Sequence, residues 1–184
     1  MSKREQSRYQ SARIAYSGML AALSVVLMLS GTLIPVMTYA APLMCGLLLL
    51  PAMLEFGKPT AWMVWAVTAL ITLLLGVDRE AAMFYLFVGW YPLVKWSLDK
   101  LKSRPVRILL KAAIFTAALA VMYGLMELVM HISLVQEMGS AAWIVAFFAM
   151  MVLLLLLYDR LLWPLCLVYT NRIKPKLRLP GLRR

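Results

Sequence analysis

Histidine and cysteine are almost missing from this chain: His131 is the single histidine, and Cys45 and Cys166 are the two cysteines, among 184 residues. Zinc and iron centres need several such ligands at close spacing, so no metal site is expected. Two cysteines, one inside an apolar run and one near a basic tail, make no disulfide framework and read as small apolar fillers. The HExxH, Gly-rich phosphate-loop and GxSxG patterns are also lacking, so the sequence points away from an enzyme and calls for no cofactor. Acidic residues number 8 against 19 Lys and Arg.

The resulting charge of +11 does not point to nucleic acid. Its cations lie between and beside apolar runs, without the aromatic interleaving of a nucleic-acid groove. Apolar residues make up 64% of the chain and the mean hydropathy is +0.83, well above the roughly 45–50% typical of soluble domains. The solvent implied for most of the chain is a lipid bilayer. Hydrophobicity is continuous rather than alternating, and backbone amides must be paired in lipid, so helices are expected rather than a barrel.

Six apolar runs can be drawn, at 14–34, 38–56, 59–76, 81–96, 111–134 and 141–158 or beyond. The fold class expected is all-α, an integral membrane bundle of six transmembrane helices. Most runs reach the ~30 Å hydrocarbon thickness at 1.5 Å per residue, and the fourth needs its flanks to do so. Pro35 closes the first run, Pro59 suits a first helical position, Gly76 a C-terminal stop, and Asp78 an N-cap. Pro42, Pro51 and Pro92 fall inside runs and predict kinks or breaks. Past Asp159, Arg160 and Pro164, the stretch to Tyr169 either extends the sixth helix or lies at the interface. The organisation expected is a basic tail at 1–13, a transmembrane domain at 14–170 and a basic tail at 171–184.

Loop charge then orients the chain. Arg and Lys cluster in the N-tail, at Lys58, from Lys95 to Lys111, and in the C-tail, 17 in all, against Arg79 on the opposite side. Arg160 is ambiguous. The positive-inside rule places both termini in the cytoplasm. The N-terminal basic stretch imitates a signal peptide, but its apolar run is of spanning length and is followed by more spans, so it reads as the first transmembrane helix.

Three polar or small-residue constellations stand out. Asp78, Arg79 and Glu80 sit in the short outer connection, where they serve either as a helix start with dipole-matched acids or as a charged ligand contact. Glu127 and His131 are four apart and share a helix face; ionisable groups within a span are costly and usually face the bundle interior. Ser17, Gly18, Ala21 and Ala22 form two overlapping small-xxx-small pairs, which let helix backbones approach closely, within the bundle or against a partner. Ala113, Ala117, Ala120 and Gly124 make a similar stripe. Glu55 and Asp159 are expected to pair locally with Lys58 and Arg160, and the tryptophans to anchor at interfaces.

The stretch RIAYSGMLAALSVVLMLSGTLIP, from Arg13 to Pro35, resembles the first helix of the substrate-binding S components of energy-coupling factor (ECF) transporters. The resemblance implies a subunit in the plasma membrane of a bacterium that binds a vitamin or other small micronutrient from outside. It also implies docking, through Ser17, Gly18, Ala21 and Ala22, onto a transmembrane coupling subunit driven by separate ATPase subunits. It supplies no ligand motif; the polar residues on the outer side, Tyr39, Asp78, Arg79, Glu80, Glu127 and His131, are the substrate-binding candidates read from the sequence. A non-transport scaffold or assembly protein similar to the six-span rod-shape protein of cell-wall machinery would use the same architecture.

Overall fold

The computed structural model describes residues 3–32, 34, 36–76, 78–100, 104–130 and 141–174. Every regular element among them is helical: α1 (Lys3–Leu29), α2 (Met37–Phe56), α3 (Lys58–Leu74), α4 (Arg79–Val88), α5 (Tyr91–Leu98), α6 (Arg104–Met130) and α7 (Ala141–Val168). A 3₁₀ turn, Ser30–Thr32, follows α1, and a π-helical turn, Tyr169–Ile173, extends α7. His131 and Pro35 lie outside the described residues.

Among the described residues, four helical stretches are long and apolar enough to cross a membrane: Arg4–Leu29, Met37–Phe56, Pro105–Leu128 and Ala142–Arg172. The other two expected spans take a different form. α3 is apolar but has 17 residues, about 25 Å at 1.5 Å per residue, the lower edge of spanning length. The fourth run is split into α4, of 10 residues, and α5, of 8, around Gly89 and Trp90. Pro92 falls in the first turn of α5, where a missing amide hydrogen costs least. Pro42 and Pro51 stay inside α2, and Pro164 inside α7.

The basic segment before Ile14 is helical from Lys3 onward. Neither proline nor glycine interrupts it. Tyr9 and Tyr16, seven residues apart and so on one face of α1, hold the Phe56 ring at the end of α2, each with ring centroids 5.7 Å apart. Among the described residues, two glycines take backbone conformations that L side chains avoid: Gly57, at φ +89° between α2 and α3, and Gly76, at φ +61° just past α3, the stop its sequence position predicts. Asp78 caps α4, its carboxylate accepting from the amides of Glu80 and Ala81 at 3.1 and 3.3 Å, as its sequence position predicts.

The chain divides into two compact units, Met1–Leu93 with Leu162–Arg184, and Val94–Leu161. In the first, Leu20, Ala21, Leu49, Ala52, Ala61 and Val64 pack α1, α2 and α3 together. A second cluster, including Met28, Ala41, Cys45, Ala69 and Tyr85, brings in α4. Cys45 is fully buried and donates to the Ser24 carbonyl at 3.3 Å, the filler role expected of it. Trp65 packs against both clusters and donates to the Tyr85 carbonyl at 3.4 Å. Half-buried, it joins the two clusters, a packing role beside the interfacial anchoring expected of the tryptophans. In the second unit, Tyr123 of α6 packs on Phe147 and Phe148 of α7 at centroid distances of 5.9 and 5.7 Å.

Candidate functional site

The small residues of α1 do not all serve the bundle's interior. Ala21 is buried against α2 and α3, whereas Ser17 is only partly covered and Gly18 and Ala22 are exposed. A Cβ added at Gly18 would meet no atom within 4 Å beyond its own stretch of helix. Close packing against a neighbour inside the fold is therefore not what this glycine provides.

Beside it runs a groove of about 450 Å³ between α1 and α3. The α1 wall is built from Gln10, Arg13, Ile14, Ser17, Gly18 and Ala21, and the α3 wall from Thr60, Met63, Val64 and Val67. Both sets follow the i, i+3, i+4, i+7 spacing of a single helix face. Polar groups gather at the Gln10 and Arg13 end, and the remainder is mostly apolar. The Arg13 guanidinium meets the Met63 sulfur at 3.9 Å and takes part in no ion pair among the described residues. The Ser17 hydroxyl is buried with no hydrogen-bond partner among them. Ala22 lies outside the groove wall, so three of the four small residues singled out in the sequence share it.

Around α4, the structure brings together Tyr39, Asp78 and Glu80. The Tyr39 hydroxyl donates to Glu80 Oε1 at 2.5 Å while its ring stands edge-on to Phe84 at 5.6 Å. The Thr38 hydroxyl donates to Asp78 Oδ2 at 2.6 Å, leaving Oδ1 for the helix cap. Both acids are thus tied into bonds that join α2 to the start of α4. Arg79 is exposed. Glu127 belongs to the second unit, where it lies on an exposed face of α6; its proposed partner His131 falls outside the described residues.

The second unit holds a polar feature that sequence reading missed. Lys95 Nζ lies 2.5 Å from Asp159 Oδ1, Lys111 Nζ lies 2.8 Å from Asp159 Oδ2 and 2.6 Å from Asp99 Oδ1, and Lys95 returns to Asp99 at 3.6 Å. The four side chains close a ring of alternating charge across α5, α6 and α7. Lys95 also donates to the Asp159 carbonyl at 2.6 Å, and Arg107 flanks Asp99 at 3.8 Å. The lysines are buried, at 4% and 3% exposure. Desolvating such cations is costly unless each meets opposite charge in good geometry, which the ring provides. Both had been assigned to loop charge, and Asp159 to a local pair with Arg160; its partners here lie 64 and 48 residues away. Glu55, likewise expected to pair locally with Lys58, accepts from the Tyr169 hydroxyl at 3.4 Å and lies 3.7 Å from Lys174 Nζ.

Comparison with protein-family models, with curated proteins and with solved structures finds no match.

Proposed function

We propose that the chain is the membrane-embedded substrate-binding subunit of an ECF-type uptake transporter, carrying a vitamin or another small micronutrient into a bacterium. In this reading the chain crosses the plasma membrane six times. α3 and the interrupted α4–α5 pair supply the third and fourth crossings, and both termini face the cytoplasm. Energy comes from separate ATPase subunits through a transmembrane coupling subunit that docks on α1.

The observation that carries the reading is the open space at Gly18. A small residue that packs nothing within its own fold leaves helix backbone accessible, and close backbone approach is how helices associate in lipid. Substrate would be met at the other end of the first unit, where Tyr39, Asp78, Arg79 and Glu80 gather about the start of α4.

The test is Gly18→Leu combined with Ala22→Leu in gently solubilised tagged protein. Copurification of coupling and ATPase subunits with the unaltered chain, and its loss in the double variant, is the expected result. If the unaltered chain brings down neither these subunits nor a small ligand, the transporter reading is to be dropped. A second reading, a membrane scaffold without transport, draws on the mutual hydrogen bonding of Tyr39 with Glu80 and of Thr38 with Asp78, which engages polar groups otherwise suited to a ligand. Mass spectrometry of ligand carried through purification separates the two.

A further inference from the structure

We infer that the groove between α1 and α3 is a binding site for a single anionic phospholipid, with the phosphate at Arg13 and an acyl chain along Gly18, Ala21, Val64 and Val67. The groove offers opposite chemistry at its two ends. At one end is a guanidinium without a carboxylate partner among the described residues, next to Gln10; along the rest lie small and aliphatic side chains. No acidic residue lines it among the described residues. A phosphate beside Arg13 supplies the missing countercharge, and guanidinium groups bind phosphate through paired, charge-assisted hydrogen bonds.

Sequence position fits the depth such a lipid requires. Arg13 is the last charged residue before the apolar run that starts at Ile14, so it marks the level at which headgroups give way to hydrocarbon. The preceding turns of α1 expose Arg4 and Arg8, which adds positive potential on the same approach. The Ser17 hydroxyl, one helical turn further in, is a buried polar group without a partner among the described residues, of the kind that a bound ligand or water satisfies in native structures. The volume of about 450 Å³ falls within the roughly 300–1,000 Å³ range of ligand clefts. A larger hollow, about 660 Å³ beside Thr116, Phe148 and Val152, has no charged lining residue among the described residues. Chain volume alone therefore does not select an anionic lipid there.

The inference deepens the docking reading and rests on it for one consequence: the coupling subunit would have to displace the lipid from the face it docks on. Lipid retention itself is a property of the isolated chain, so it succeeds or fails independently of complex formation. The experiment is native mass spectrometry of the purified full-length chain in detergent, titrated with dioleoyl phosphatidylglycerol or dioleoyl phosphatidylcholine. The expected result is preferential retention of one phosphatidylglycerol. Arg13→Gln should weaken it about fivefold, the worth of one basic residue at an anionic surface, and Arg13→Lys should restore part of it. Gly18→Leu, which fills the groove, should lower retention of both lipids. Arg172→Gln, an exposed cation of the same unit, should leave retention unchanged. Equal retention of the two lipids, or an Arg13→Gln effect no larger than that of Arg172→Gln, overturns the proposal. Thermal unfolding of each variant, read alongside, separates lost lipid from lost fold.

Discussion

Lys111 of α6 and Asp159 of α7 meet at 2.8 Å with the lysine side chain 4% exposed. Through Asp99 and Lys95 the contact closes into a ring in which each charge has two opposite neighbours. Removing one member leaves two buried neighbours with a single opposite charge each, a cost that approaches the about 3–5 kcal/mol of breaking a buried pair. Asp159→Asn and Lys111→Met are therefore each expected to lower the thermal midpoint of the detergent-solubilised protein sharply. Arg160→Gln, at the neighbouring exposed position, should leave it nearly unchanged. Removing Lys111 and Asp159 together should cost less than the sum of the single changes, a non-additivity that a double-mutant cycle measures.

Two glycines predict opposite outcomes. Gly57 sits at φ +89° and ψ 169°, a region open to glycine almost alone, so Gly57→Ala should destabilise by about 1–3 kcal/mol. Gly18 lies inside a helix with open space around it, and Gly18→Ala should leave the isolated chain as stable or raise it by up to about 1 kcal/mol. Thermal unfolding of the two variants, side by side, reads the contrast.

At the start of α4 the cap and the ligand roles can be separated. Asp78→Ala loses the cap, worth about 1 kcal/mol, together with the Thr38 bond, whereas Asp78→Asn keeps a capping oxygen and removes the charge. If the charge meets substrate, Asn should impair uptake while stability stays close to that of the parent; if Asp78 is only a cap, uptake should follow stability in both variants. Replacing Arg79 or Glu127 should likewise reduce uptake without altering assembly. Unchanged uptake would leave both as surface charges.

Phe56 links α2 to the basic end of α1 through Tyr9 and Tyr16. Phe56→Ala is expected to cost about 3–5 kcal/mol, with the loss concentrated at the N-terminal turns. Hydrogen exchange in the segment around Arg8 should rise more than exchange around Leu20, which is packed in the α1–α2–α3 core.

Local punctuation was the part of this fold most readable in the sequence. Gly76 and Asp78 act through their own backbone and nearest neighbours, so a short window contains the relevant physics, and each does what its position predicts. The third and fourth apolar runs were less readable, because hydropathy records the extent of a run and not whether the helix within it is interrupted. The small-residue set on α1 was also visible; whether Gly18 faced a neighbour or open space depended on where α3 came to lie. The charge ring was not visible. Lys95 and Lys111 look identical to topology charges until α7 delivers Asp159, and nothing within either local window names that partner. The packing role of Trp65 was hidden for a related reason, since it depends on the carbonyl of Tyr85 beside it.

The ring also carries an order of events. Lys95 is synthesised 64 residues before Asp159, and ribosomes add about 5–20 residues per second, so the lysine waits several seconds for its closest carboxylate. Asp99 follows only four positions later and lies 3.6 Å away in the finished fold. It is the one acid of the ring available during that interval. The longest edge of the ring is thus the one that sequence proximity makes available first, and both edges through Asp159 must await α7.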